Sequence, residues 1–178
     1  SKDAEIKLSS YKSKSLQGDS ILKTIYEKLG VKSIFKEDYL LLKKEKINFP
    51  NFIDLNLSKA PDIAQTIAVT CYGLGIGCNL EGLHTLKIKE TDRLVALKNE
   101  IEKLGGKIEI TDESLKLHPS FEIKKNISIK TYNDHRMAMA FAPLSLLVPI
   151  YIENHDVVTK SYKNFWSDLR AINFEISR

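Results

Sequence analysis

Residues 87–93 read Lys-Ile-Lys-Glu-Thr-Asp-Arg, and residues 131–139 read Thr-Tyr-Asn-Asp-His-Arg-Met-Ala-Met. Only four of the 27 cationic residues are arginine, at 93, 136, 170 and 178, yet one stands in each segment. Arginine differs from lysine by a planar fork of donors that meets a carboxylate or phosphate bidentately. Arg93 and Arg136 are therefore candidates for holding an anionic ligand. Asp62, Glu90 and Asp134 add carboxylates, and Lys89, His135 and Lys160 add further polar groups. Carboxylates inside a cationic pocket suit a site that binds an anion while moving protons. The plainer alternative is a set of aspartate–arginine pairs on solvated loops.

These residues need elements to bring them together. Asp62, the run from Glu90 to Arg93, the run from Asp134 to Arg136, and Lys160 are all expected at helix starts, where free backbone N–H groups favour anions. Singly, each has a structural explanation. Asp62 and Asp134 suit N-caps, Glu90 a first-turn acid, His135 a core or supporting histidine, and Lys160 a solvated lysine.

The chain also repeats itself. Apolar residues at 21, 22, 25, 26 and 29 have helical spacing, opened by the segment Leu16 to Ser20, with Asp19 or Ser20 as N-cap and Gly30 as C-cap glycine. Strands are expected at Val31–Phe35 and Tyr39–Leu42. The pattern recurs 75 positions later, where Glu102-Lys103-Leu104-Gly105 matches Glu27-Lys28-Leu29-Gly30 and the apolar stripe is Leu94, Leu97, Ile101 and Leu104. A looser third copy has a helix over 161–171 and a strand over 173–176. A second helix type begins at Asp62, running from Ile63 to about Cys71, and again at Asp134, running to about Leu147 before Pro149. Strands flank each, at 53–57, 78–80, 127–130 and 150–153. The expected unit is strand, helix, strand, helix, strand, strand, over about 1–46, 47–120 and 121–178. The fold class is mixed α/β (α+β), a closed pseudo-three-fold domain with helices inside and mixed sheets outside.

The composition excludes several classes. Apolar content of 43% and charged content of 28% are those of a globular domain, and the net charge of +4 is mild. Lysines interleave with acids and apolar residues, so no nucleic-acid stripe forms. No apolar run reaches membrane-spanning length. Cys71 and Cys78 lack metal-type neighbours, which points to a reduced, cytoplasmic setting. The start at Ser1, without Met, suggests a fragment or a processed chain.

Lys89-Glu90-Thr91-Asp92-Arg93 ahead of an apolar helix resembles one hallmark of the 5-enolpyruvylshikimate-3-phosphate synthases, and Asn133 to Met139 resembles a second. Pro61-Asp62 with Thr66, and Thr159-Lys160-Ser161-Tyr162 with Phe165, are similar to two more. The four occur in family order across 16–172, and the chain is identified as a member of that family, similar to its C-terminal domain alone.

The resemblance implies transfer of the enolpyruvyl group from phosphoenolpyruvate to the 5-hydroxyl of shikimate 3-phosphate, a step of aromatic amino-acid biosynthesis, without metal or organic cofactor. It implies Asp62 as the base and Glu90 as the acid that protonates the methylene carbon. Lys89 is then a phosphoshikimate contact, while Arg93, Arg136 and Lys160 hold phosphoenolpyruvate. Asp134, His135 and Thr85 are supporting. Thr85 replaces an asparagine often found there, and Lys87 an arginine. Family enzymes are about twice as long, so an N-terminal domain is the implied partner, and the chain alone is expected to lack activity. The six acid, base and cation positions are expected on one exposed face.

The nearest rival is the sister transferase acting on UDP-N-acetylglucosamine, which lacks both hallmark motifs. RNA 3′-terminal phosphate cyclase shares the repeat but needs a nucleotide-accepting histidine, for which His155 sits in no matching motif. A non-catalytic anion-binding domain is the alternative from another class.

Overall fold

The computed structural model describes residues 4–9 and 18–177. Leu16, Gln17 and Arg178, included in the repeat scheme, lie outside the described residues. The chain divides into two compact units, Ser1–Pro50 and Asn51–Arg178. Among the described residues no helix is long and apolar enough to cross a membrane.

In the first unit, strand β1 (Glu5–Ser9) precedes helix α1 (Leu22–Lys28), β2 (Val31–Phe35) and β3 (Tyr39–Lys44). The strands form an antiparallel sheet in the order β1-β3-β2. Ile25, Leu29 and Leu40 supply its buried side chains. The expected cap is corrected. Asp19 and Ser20 lie within a short 3₁₀ turn, Gly18–Ile21, and Ile21 precedes α1 without a side-chain cap. The 3₁₀ turn supplies the helix entry instead.

The second unit carries the candidate site. Its elements run β4 (Phe52–Asn56), α2 (Ala64–Leu74), β5 (Gly77–Glu81), α3 (Arg93–Lys103), β6 (Ile108–Ile110) and β7 (Ser114–Leu117). Then follow β8 (Ile127–Ile129), α4 (His135–Phe141), β9 (Ile150–Ile152) and α5 (Phe165–Ala171). The main sheet is ordered β4-β5-β7-β6. The pair β4/β5 is parallel and the others antiparallel, while β8 and β9 form a separate parallel pair. Each parallel pair needs a crossover, supplied by α2 and by α4. Both α2 and α4 therefore start just beyond the C-terminal end of a strand.

Helix α2 is apolar on nearly every side, with Ala64, Ile67, Ala68 and Cys71 fully buried. A helix without a polar face belongs inside, and α2 packs against α4 and α3. Helix α3 keeps one wet face and buries Leu94, Leu97 and Ile101. It ends as its sequence predicts: Gly105 takes a positive φ of 102°, and Gly106 N–H returns to the Ile101 carbonyl at 3.0 Å.

Two expected elements are corrected. The α4 helix stops at Phe141 and continues as a 3₁₀ turn, Ala142–Leu146, because Pro143 offers no amide to an α-helical ladder. The C-terminal strand over 173–176 is absent: those residues carry no strand pairing, and Phe174 N–H closes the end of α5 on the Leu169 carbonyl at 3.1 Å. Nor does α5 begin at Ser161. Residues 155–160 form a 3₁₀ turn, and α5 starts at Phe165.

Candidate active site

The entries of α2, α3 and α4 meet at one guanidinium. Arg93, the first residue of α3, is 2% exposed and donates to three carboxylates. Its Nε reaches Asp134 Oδ2 at 2.6 Å, Nη1 reaches Asp62 Oδ1 at 2.9 Å, and Nη2 reaches Glu90 Oε2 at 2.7 Å. Asp134 is fully buried at the N-cap of α4, where its other oxygen accepts the Arg136 N–H at 2.8 Å. One side chain thus caps a helix and fixes an arginine on another.

Asp62 lies in the 3₁₀ turn Pro61–Ile63 ahead of α2 and caps nothing. Its carboxylate gathers cations: Lys89 Nζ at 3.3 Å, Arg93, and Arg136 Nη2 at 3.5 Å. Arg136 Nη1 also donates to the Asp62 backbone carbonyl at 3.2 Å. Partial burial pushes the Asp62 carboxyl up, but Arg136, the Lys89 hydrogen bond and Arg93 outweigh it and hold the group below its ordinary range. Asp62 is therefore ionised at neutral pH.

The arrangement has two layers. Arg93 and Asp134 lie behind, while the side chains of Lys89, Asp62, Glu90 and Arg136 are 33%, 32%, 38% and 31% exposed. The front layer is open to a ligand, and the back layer fixes its geometry. This corrects the expected exposure of Arg93, whose fork is taken up internally. A free cation buried beside three carboxylates would be unstable unpaired, and pairing it removes it from solvent.

Other expected residues fall as follows. Lys160 stands at the end of a 3₁₀ turn, not at a helix start, and its Nζ donates to the Asn133 carbonyl at 3.2 Å. His135 Nδ1 is buried, 4.0 Å from Asp134 Oδ1, and has no hydrogen-bond partner; Thr85 Oγ1 is likewise buried and unpartnered. Lys87 pairs with Asp112 at 2.6 Å. The cap of α3 is Asp92, whose carboxylate accepts the Leu94 and Val95 amides, so Glu90 is not needed there.

Glu90, Asp134 and His135 bring ligand atoms within 4.8 Å of one another, the only such metal-type group among the described residues. Arg93 already occupies both carboxylates, so a cation would meet a fixed guanidinium. The set does not fit a metal.

Sequence reasoning missed Glu100, a carboxylate 1% exposed on α3. Its signal was available: it lies among Leu97, Ile101 and Leu104 on the apolar side of a helix.

Comparison with known proteins places these features in a family. The family described as EPSP synthase (3-phosphoshikimate 1-carboxyvinyltransferase) matches residues 1–169. A 3-phosphoshikimate 1-carboxyvinyltransferase of Bacteroides fragilis is 40% identical over 184 residues, covering 99% of this chain and 43% of that protein. One from Neisseria meningitidis is 33% identical over 85% of this chain and 35% of its own length. The solved EPSP synthase of Acinetobacter baumannii superposes with a TM-score of 0.71 at 17% identity, over 96% of this chain and 42% of that one. The chain spans less than half the length of these relatives.

Proposed function

The chain belongs to the EPSP synthase family, and from that premise we propose that it forms one side of an enolpyruvyl transferase site. The proposed reaction joins the enolpyruvyl group of phosphoenolpyruvate to the 5-hydroxyl of shikimate 3-phosphate and releases phosphate. The observation that carries the reading is the Asp62 carboxylate, held ionised by Lys89, Arg93 and Arg136 and linked to Glu90 through Arg93.

In this reading Glu90 gives a proton to the methylene carbon of phosphoenolpyruvate. The adjacent carbon becomes electrophilic, and the substrate hydroxyl adds there as Asp62 takes its proton. The resulting tetrahedral intermediate returns a proton from the new methyl group to the Glu90 carboxylate, and the C=C bond re-forms as the C–O bond to phosphate breaks. Two carboxylates with opposed protonation preferences are what this sequence of steps requires. Lys89 contacts phosphoshikimate, while Arg136 and Lys160 hold the anionic groups of phosphoenolpyruvate. Arg93, whose donors are taken by Asp62, Glu90 and Asp134, holds these carboxylates in place from behind the front layer. Asp134, His135 and Thr85 support the front layer.

The chain is read as the C-terminal domain of the enzyme, with an N-terminal domain closing the cleft. In this reading the chain is built of repeats over about 1–46, 47–120 and 121–178. The two free, buried cysteines support a cytoplasmic setting.

The test is steady-state phosphate release from phosphoenolpyruvate and shikimate 3-phosphate by the full-length enzyme. Glu90→Gln and Asp62→Asn should each lower kcat by at least about 100-fold, the scale of positioned acid–base groups. Normal turnover in either variant overturns the assignment of roles.

A further inference from the structure

Glu100 is a buried carboxylate that the proposed chemistry does not use. It is 1% exposed, and its bonds converge on one segment. Oε2 accepts the Lys130 backbone N–H at 3.0 Å, and Oε1 accepts the Tyr132 hydroxyl at 2.8 Å. Lys103, one turn later on α3, pairs with Glu100 and donates to the Ser128 carbonyl at 2.7 Å. Asn99 Nδ2 also reaches the Tyr132 hydroxyl, at 3.5 Å.

The gripped segment is unusual. Tyr132 and Asn133 take successive left-handed conformations, with φ of 55° and 58°. Side chains other than glycine adopt that region at a cost, and a bulky tyrosine especially so. The turn then delivers three site features within four residues: the Asn133 carbonyl that accepts Lys160, the Asp134 carboxylate that fixes Arg93, and Arg136 itself. Asp134 N–H closes the turn on the Thr131 carbonyl at 2.9 Å.

We propose that Glu100 is a positioning residue: through Lys130 N–H and the Tyr132 hydroxyl it holds the 131–134 turn left-handed, and thereby sets Asp134, Arg136 and the carbonyl that receives Lys160. Helix α3 thus holds the entry of α4 twice, through Arg93 at its first turn and Glu100 two turns on.

The conformational arm of the test uses this chain and is independent of any reaction. Glu100→Gln keeps the size and one acceptor but presents an N–H₂ either to the Tyr132 hydroxyl or to the Lys130 N–H and the Lys103 ammonium. Tyr132→Phe removes only the hydroxyl, which guards against a failure of Glu100→Gln to fold. In both, amide hydrogen exchange at Asp134 and Arg136 should quicken about tenfold or more while Ala68 and Cys71 in α2 keep their protection. Unchanged exchange at Asp134 and Arg136, or equal loss of protection at all four, overturns the proposal.

The kinetic arm rests on the functional reading above. In the full-length enzyme Glu100→Gln should raise KM for phosphoenolpyruvate about tenfold with kcat within about threefold, the pattern of weakened uniform binding. A fall in kcat with KM unchanged counts against positioning. Absence of enolpyruvyl transfer in the unaltered enzyme sinks the functional reading alone, and the exchange arm still decides the role of Glu100.

Discussion

Arg93 satisfies Asp62, Glu90 and Asp134 at once, so the single side chains of this cluster have separable predicted effects. Asp134 is fully buried against Arg93 Nε, and Asp134→Asn keeps a cap acceptor while leaving the guanidinium less neutralised. Breaking such a pair should cost about 3 kcal/mol, read as a lower urea midpoint for this chain. A loss below about 1 kcal/mol would mean that solvent reaches the pair as it does at a surface. Asp62 gives a pH prediction. Its folded carboxyl titrates below the ordinary aspartate value, so its stabilising contribution is present above that value and fades as pH falls through it towards the folded value. Unfolding measured against pH should show a shallower acid limb in Asp62→Asn, and identical limbs would refute the pairing. At Arg136, replacement by lysine should raise KM for phosphoenolpyruvate about tenfold or more with a smaller change in kcat, since an ammonium lacks the fork.

At the scale of elements, the approach to Lys89 and Glu90 depends on one close contact. Gly82 follows β5 at φ +78°, and a Cβ there would lie 2.6 Å from Ser58 N and 2.7 Å from its Cα. Both are backbone atoms and cannot swing aside. Gly82→Ala should therefore destabilise the chain by at least about 2 kcal/mol, seen as a fall in Tm. Retention of the wild-type Tm would show that the turn after β5 relaxes freely. The element types of residues 52–117 were legible from the apolar spacing because the apolar run of α2 and the apolar stripe of α3 are both buried in the structure. The breaks were less legible. Pro143 marks where α4 loses its α-helical ladder, yet the spacing continues past it. The strand expected over 173–176 fails because a strand requires a partner, and spacing carries no information about one.

At the scale of the whole molecule, the chain spans 43% of the length of the Bacteroides relative. Lys89, Asp62, Glu90 and Arg136 form an open front, each about a third exposed. Catalysis of the proposed kind depends on holding two anions in register away from water. The 178-residue chain should accordingly release no phosphate from phosphoenolpyruvate and shikimate 3-phosphate, whereas the full-length enzyme should. Turnover by the chain alone at the full-length rate would show that the site needs no second wall.

The sequence by itself determined the family and the mixed α/β class, and it singled out the arginine and the three carboxylates that the structure gathers around it, because motif identity and apolar period are local properties written in the order of side chains. Tertiary structure decided how those residues divide the work. Both arginines look alike in sequence, each beside an aspartate, but Arg93 faces inward to three carboxylates and Arg136 faces the open side. Glu100 stands on the apolar side of its helix in the sequence, but what it holds is set only when the fold brings Lys130 and Tyr132 onto it from about 30 residues away. Which charge is buried, and against what, depends on contacts between distant segments, and only packing fixes those.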